Sequence, residues 1–191
     1  GTYIVSRRMV FLSGGITHAS FGGIGIGYFA GINPVAGAAV FGIMSALGIE
    51  YLSMRQKIRE DSAIGILWAL GMAIGIIFIY LTPGYAPNLI SYLFGSILTV
   101  TYGDIIALGI MSAVLIIWFT VFYRMILYIS FDEQYARTFT SRVDFFRYVT
   151  TSLIALTIVL NIRMAGVVLV ISLLTIPPNI AMLFTRKYSK I

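Results

Sequence analysis

The sequence predicts an all-α integral membrane protein, folded as a polytopic helical bundle. Its 191 residues are 59% hydrophobic and 10% charged, whereas soluble domains carry about 25% charged residues. The apolar residues form runs near the length of a helix that crosses a bilayer, about 20 residues. The alternation over about ten residues that is typical of transmembrane β-barrels is absent. Backbone polar groups in lipid must be satisfied within their own segment, so these runs are expected to be helices.

Six apolar segments are the predicted spans of this bundle. They cover residues 9–31, 34–53, 63–82, 104–129, 146–162 and 165–184. Asn33 followed by Pro34 is typical of a helix start, because asparagine caps the N-terminus and proline suits the first helical position. The spacing of a capping box occurs twice more, at Ser130–Glu133 and at Ser141–Asp144.

The positions of the basic residues predict the orientation. Most of them lie near segment ends that share one side of the membrane if six helices alternate: Arg7, Arg8, Arg55, Lys57, Arg59, Arg124, Arg137, Arg142, Arg147, Arg186, Lys187 and Lys190. The opposite side receives Arg163, together with Asp104. By the positive-inside rule the basic side is cytoplasmic. The net charge of +6 is then explained by topology, and no nucleic acid partner is expected.

Two connections contain more than a turn. The outer connection, residues 83–103, includes an apolar piece from Tyr92 to Val100 that is too short to span a bilayer and is predicted to be interfacial or re-entrant. The inner connection, residues 130–145, carries aromatic residues at helical spacing, at Phe131, Tyr135 and Phe139. This pattern predicts a short amphipathic helix on the cytoplasmic face, either resting on the membrane surface or docking a cytoplasmic partner.

The first predicted span carries the candidate metal ligand, which is the only histidine of the chain. Gly14, His18, Gly22 and Gly25 share one helical face, and Thr17 flanks it. An ionisable side chain inside a membrane is costly and therefore suggests a function, and neutral imidazole is a common metal ligand. We expect this face to line a metal pathway. In the alternative, the glycines serve close helix packing and the imidazole hydrogen-bonds a neighbouring carbonyl.

The last predicted span contains two consecutive prolines, Pro177 and Pro178. Each proline removes a helical hydrogen bond, so the pair predicts a kink or a break. Carbonyls freed inside a membrane must be satisfied by protein or by a water-filled cavity. The two prolines are therefore predicted either to line the pathway or to serve as a structural kink.

Several classes of function are excluded by what the sequence lacks. It has no cysteine, no P-loop, no nucleophile elbow and no cluster of metal-enzyme spacing, so we expect neither an enzyme nor a bound cofactor. If ATP is used, another chain must hydrolyse it. The acidic residues Glu50, Glu60 and Asp61 lie near Arg55 and Arg59, and we interpret them as ordinary surface ion pairs.

Five blocks of sequence, in order, resemble the permease subunits of zinc, manganese and iron ABC importers. They are residues 7–23, 60–76, 91–100 followed by Asp104, 131–137 and 166–184. The resemblance implies a multi-pass homodimer in the lipid bilayer of a prokaryotic cytoplasmic (inner) membrane. It also implies cytoplasmic ATPase subunits and an extracytoplasmic metal-binding protein as partners. A divalent metal would be the substrate, with zinc placed ahead of manganese and iron.

The resemblance also implies roles for particular residues. The matching segment in the family docks on the ATPase, so a coupling helix is expected over residues 130–141, with docking residues Phe131, Asp132, Glu133, Tyr135, Ala136 and Arg137. The family often has an aspartate four residues before the histidine, where this chain has Gly14. Permeases of the family have eight or nine helices. Residues 1–191 are therefore expected to be a single permease domain that lacks the first and last spans.

Two other kinds of transporter stay open. A permease of the same architecture could carry a metal chelate such as a siderophore or a corrinoid, because a glycine-lined path with few charges would suit a bulky ligand. A secondary transporter driven by an ion gradient is less favoured. Such transporters keep carboxylates inside the membrane for coupling, and the predicted spans have essentially none near their middle.

Overall fold

The computed structural model describes residues 1–7, 9–55, 58–84, 95 and 100–185. This part of the chain is all-helical, as predicted. Its helices are α1 (Thr2–Ser6), α2 (Val10–Ala30), α3 (Pro34–Arg55), α4 (Glu60–Leu81), α5 (Tyr102–Val121), α6 (Tyr123–Phe131), α7 (Glu133–Phe139) and α8 (Val143–Phe184). By length and composition, α3, α4, α5 and α8 could each cross a membrane. The predicted short apolar piece, Tyr92–Val100, lies outside the described residues except for Gly95 and Val100.

Helix α2 lies at the centre of the bundle, and α3, α4 and α8 pack around it. It is 21 residues long but is not among the four helices that could cross a membrane by length and composition. Most of its residues are buried. The first predicted span is therefore a helix that its neighbours cover on most sides, while Gly14 and His18 stay partly exposed.

Glycines bring the backbones of α3 and α4 into direct contact with α2. A Cβ atom on Gly23 would lie 2.0 Å from the carbonyl oxygen of Gly37 on α3. One on Gly71 of α4 would lie 2.5 Å from the backbone of Ala19. No side chain fits at these separations, so the small residues allow the close helix contact that is typical of membrane bundles.

Helix α8 breaks next to the boundary predicted between the spans 146–162 and 165–184. The non-helical residue is Gly166, with φ 72° and ψ 166°, whereas the backbone stays helical through Pro177 and Pro178. The break that the prolines were one way of predicting is therefore not found at the prolines. A proline keeps a helical φ although it loses a hydrogen bond. By contrast, the conformation at Gly166 is one that only glycine adopts readily.

The predicted span 104–129 is also interrupted. Helix α5 ends at Val121, and α6 begins at Tyr123 after a break at Phe122. The Phe122 ring packs against Trp118 at 4.6 Å and against Phe146 of α8 at 5.2 Å between centroids. An unbroken helix of this predicted length would exceed the roughly 30 Å hydrocarbon core, whereas the break leaves α5 with 20 residues, a membrane-spanning length.

The helix starts are capped partly as predicted. The Asn33 side chain accepts a hydrogen bond from the Val35 N–H, which confirms the predicted start of α3. The capping boxes predicted at Ser130–Glu133 and Ser141–Asp144 are wrong. The Ser130 hydroxyl donates within α6, and Arg142 precedes α8 without a side-chain cap. A capping box is instead present at Thr101–Asp104.

Candidate functional site: metal pathway and docking surface

His18 lies half-buried on α2, with one ring nitrogen unused. Its imidazole stacks on Trp68 of α4, with ring centroids 4.3 Å apart and planes 3° apart. The Nδ1 atom is buried and has no hydrogen-bond partner among the described residues. A neutral imidazole has one donor and one acceptor nitrogen, so a nitrogen without a partner can coordinate a cation. The alternative, a hydrogen bond between Nδ1 and a neighbouring helix, is not present in this part of the chain.

The position one helical turn before His18 has room for a larger side chain. A Cβ on Gly14 would meet only Ile171 of α8, at 3.6 Å, which is an ordinary contact. Thr17 lies on another side of α2, where it is buried and donates to the Ser13 carbonyl at 2.6 Å. It lines a small cavity between α2, α3 and α8. Gly14 and His18 therefore share an accessible face that does not include Thr17.

The two later glycines of the predicted face are covered by neighbouring helices. A Cβ on Gly22 would lie 2.8 Å from the ring of Phe41 on α3. One on Gly25 would lie 2.4 Å from the carbonyl oxygen of Gly75 on α4. At these two positions the geometry fits the packing alternative and leaves no open space for a passing ion.

The prolines and the acidic residues add no metal ligand to this face. Pro177 is exposed, and Pro178 is buried next to Gly1. Within the described ranges, no group of three or more histidine, aspartate or glutamate side chains could hold a metal ion together. Among the described residues, His18 is therefore the single candidate ligand on this face.

Within the predicted docking segment, residues 130–141, the structure has the short helix α7 and an exposed aromatic surface. This surface consists of Phe131, which is the last residue of α6, and of Tyr135 and Phe139 of α7; the three side chains are 68%, 48% and 61% exposed. Tyr135 and Phe139 pack on the ring of Tyr128 of α6, with centroids 5.5 and 5.6 Å apart. Large exposed aromatic side chains held in place by their neighbours are typical anchors of protein interfaces.

The opposite side of α7 fastens it to the bundle. Ala136 is completely buried, together with Ile129 of α6 and Val143 of α8. The Asp132 carboxylate caps the helix by accepting a hydrogen bond from the Tyr135 N–H at 2.9 Å. Of the predicted docking residues, Ala136 therefore supports the aromatic surface from beneath and is not exposed on it.

A buried ion pair lies at the basic end of the bundle. The Nε and Nη2 atoms of Arg147 on α8 lie 3.0 and 2.5 Å from Oε2 of Glu50 on α3. The Arg147 and Glu50 side chains are only 5% and 1% exposed. The other oxygen of Glu50 accepts a hydrogen bond from Thr151 at 2.7 Å. Glu50 was interpreted as part of an ordinary surface ion pair. This interpretation is wrong, because the Glu50 side chain is buried and its partner lies on another helix.

This ion pair extends into a charge network of Arg7, Glu50, Glu60, Glu133 and Arg147. Arg147 also contacts Glu133 of α7 and lies 3.5 Å from Glu60 of α4. Arg7, in the connection between α1 and α2, binds the same Glu60 at 3.2 Å. Glu60 was also interpreted as an ordinary surface ion pair, and its bonds to these two arginines of other segments show that this interpretation is wrong.

Glu133 is held as a carboxylate in this network. Burial raises its pKa, but the hydrogen bond from Arg137 and the charge of Arg147 outweigh burial and leave the pKa below its ordinary value. Arg137 binds Glu133 at 2.8 Å and Asp144 at 2.5 Å, near the surface. Glu133 therefore carries a negative charge at neutral pH and holds α7 onto α8.

Several basic residues that were predicted to share one side of the membrane lie close together at one end of the bundle. Arg7, Arg137 and Arg147 all lie there, whereas Arg163 pairs with Asp104 at 2.8 Å, where α5 begins. Arg8, Lys57 and residues 186–191 lie outside the described part of the chain.

Comparison with known proteins identifies the family. The model of the ABC 3 transport family matches residues 1–191. An uncharacterized membrane protein of Synechocystis is 44% identical, over 97% of this chain and 66% of its own length. A probable metal transport system membrane protein of Chlamydia pneumoniae is 38% identical, over 100% and 67%. The manganese transport system membrane protein MntC of Listeria monocytogenes is 35% identical, over 100% and 68%.

A solved structure agrees with these relatives. PsaBC from Streptococcus pneumoniae in complex with Fab is similar at a TM-score of 0.80 and 29% identity, over 100% of this chain and 68% of that one. The chain thus spans about two thirds of the length of the curated relatives that it matches. The resemblance to metal-importer permeases is confirmed. The chain belongs to the ABC 3 transport family, as a multi-span bacterial membrane subunit and not as the ATPase.

Proposed function

We propose that this chain forms the translocation pathway of an ATP-driven importer of divalent metal. The observation that carries the proposal is the match to one transporter family from the first residue to the last. The subunit acts as a homodimer, with cytoplasmic ATPase subunits and an extracytoplasmic metal-binding protein. Manganese is the first candidate, because the relative from Listeria is named as a manganese transport system membrane protein. Zinc, which the sequence analysis placed first, is the alternative.

The proposed pathway passes the face of α2 that carries Gly14 and His18. The support for this is the buried Nδ1 atom without a partner, beside a position with room for a larger group. Manganese prefers oxygen ligands, and no carboxylate is present at Gly14. His18 therefore contacts the metal briefly during passage and does not form a storage site.

The geometry does not favour the other two transporter classes. The chelate alternative depended on a glycine-lined path, but Gly22 and Gly25 pack directly against neighbouring residues. A secondary transporter needs a carboxylate that can change its protonation during transport. Glu50 is buried, but Arg147 and Thr151 bind both of its oxygens, so it is unsuited to that role.

The function is tested by ATP-dependent manganese uptake into vesicles that contain the complete permease and its ATPase. We expect His18→Ala to lower uptake at least about tenfold. Even the loss of a residue that only orients a metal ligand typically costs about 10- to 100-fold in metal affinity or activity. The melting temperature should fall only slightly, because the imidazole is partly exposed and loses its stacking on Trp68 but no hydrogen bond at Nδ1. Thr120→Ala on α5, whose hydroxyl bonds within its own helix, is the control.

A second variant tests the neighbouring position. Gly14→Asp places a carboxylate in the space next to Ile171, and we expect the purified permease to retain more manganese in a metal-content assay. Unaltered uptake by His18→Ala, with no gain in metal from Gly14→Asp, would remove this face from the pathway.

The ATPase is proposed to dock on the aromatic surface of α6 and α7, within the predicted coupling segment 130–141. We expect Phe131→Ala and Tyr135→Ala each to cost about 1–3 kcal/mol of docking, as truncated interface anchors do. Phe29→Ala, an exposed aromatic at the opposite end of α2, is the matched control. Co-purification should lose the ATPase from the Phe131 and Tyr135 variants and keep it with the control. Wild-type recovery of the ATPase with both of these variants contradicts the docking assignment.

A further inference from the structure

Arg147 joins the docking helix to the helices that surround α2. Its guanidinium contacts carboxylates on three other helices: Glu50 of α3, Glu60 of α4 and Glu133 of α7. We infer that Arg147 is a positioning residue that transmits movement of α7 to α3 and α4. The inference rests on the proposed function, because it assumes that an ATPase moves α7.

The contacts use the particular shape of arginine. Nε and Nη2 are directed at Glu50, Nη1 at Glu133, and Nη2 is also near Glu60. A guanidinium holds its five N–H donors in a rigid planar fork, so it can bridge separate carboxylates in fixed directions. A lysine ammonium would keep the charge but would lack this fork.

One side of the network is fixed and the other can move. The contact with Glu50 is buried from solvent, and separating it would leave an uncompensated charge in the protein interior. Glu133 is 30% exposed and also binds Arg137, so its charge stays solvated and paired if α7 shifts. Movement of α7 therefore changes the contact between Arg147 and Glu133 first.

A second set of ion pairs connects Arg147 to the start of α2. Glu60 is shared between Arg147 at 3.5 Å and Arg7 at 3.2 Å, and Arg7 directly precedes the helix that carries His18. When Glu133 moves away, the attraction on Arg147 comes from α3 and α4 alone. A chain of ion pairs between rigid helices is the kind of contiguous network that can couple two sites.

The test compares two substitutions that each remove one negative charge near α7. Glu133→Gln breaks the contact with Arg147, and Asp144→Asn breaks only the surface pair with Arg137. The complete permease and its ATPase are reconstituted in vesicles, and manganese uptake and ATP hydrolysis are measured together. For Glu133→Gln we expect the uptake per ATP hydrolysed, measured in complexes that retain the ATPase, to be reduced about fivefold or more, as for a typical coupling energy. For Asp144→Asn we expect the wild-type ratio.

Arg147→Lys is the second variant and should also lower uptake per ATP, because the charge remains but the fork is lost. A wild-type ratio in Glu133→Gln overturns the inference and leaves the proposed function intact. An equal loss in Asp144→Asn, or loss of ATPase binding by Glu133→Gln, also overturns it, since the effect would then lie in the fold or docking of α7. If the wild-type complex shows no ATP-dependent uptake, the proposed function fails and the inference fails with it.

Discussion

Replacing Arg147 by methionine is expected to destabilise the folded bundle by about 3–5 kcal/mol, the usual cost of removing one partner of a buried ion pair. The reason is the charge that remains. Glu50 is 1% exposed, and without Arg147 its carboxylate keeps only the hydrogen bond from Thr151. The measurement is unfolding in detergent, followed by circular dichroism. A change at Arg163, which is 33% exposed and pairs with Asp104, should cost no more than about 1 kcal/mol.

The double variant Glu50→Gln with Arg147→Met separates the stranded charge from lost packing. If the unpaired carboxylate causes the loss, removing it should restore much of the stability, so the two substitutions should be strongly non-additive. Simple addition of the two single effects would mean that the ion pair is not the cause. Equal losses for Arg147→Met and Arg163→Met would lead to the same conclusion.

The sequence predicted the parts of the fold that depend on local patterns. Apolar runs and the Asn33–Pro34 signal were enough to locate α3 and α4, because these features act within one helix. The Glu50–Arg147 pair escaped prediction because its members are 97 residues apart and meet only in the packed bundle. The boundary predicted between residues 162 and 165 lies next to the observed break at Gly166, where the positive φ suits glycine. No break occurs at Pro177 and Pro178, because a proline loses a hydrogen bond but keeps a helical φ.

The candidate site was predictable to a similar degree. A lone histidine in an apolar segment can be recognised from the sequence as a candidate ligand. Its stacking partner Trp68 could not be predicted, because it lies on another helix. Helical periodicity correctly places Gly14 and Gly25 on one side of α2. It cannot show that α4 covers this side at Gly25 and leaves it open at Gly14. Packed helices cross at an angle, so a single face can be buried at one end and accessible at the other.

Replacing Gly71 by alanine is expected to destabilise the contact between α2 and α4 by about 1–3 kcal/mol, as overpacking a tight contact does. The new Cβ would lie 2.5 Å from both Cα and the carbonyl oxygen of Ala19, and backbone atoms cannot rotate out of the way. Gly65, on the same helix, is the matched control because a Cβ there meets no atom within 4 Å. Alanine in a helix interior is favoured over glycine by about 0.5–1 kcal/mol, so Gly65→Ala should be neutral or stabilising.

The two glycine variants are compared by their melting temperatures in the same detergent. We expect Gly71→Ala to fall and Gly65→Ala to stay or rise, since only the first forces the helices apart. The Gly71 variant should also lower metal uptake, because α4 carries Trp68, the ring on which His18 stacks. Equal shifts in the two single variants would show that the glycines of α4 act through helix propensity and not through contact with α2.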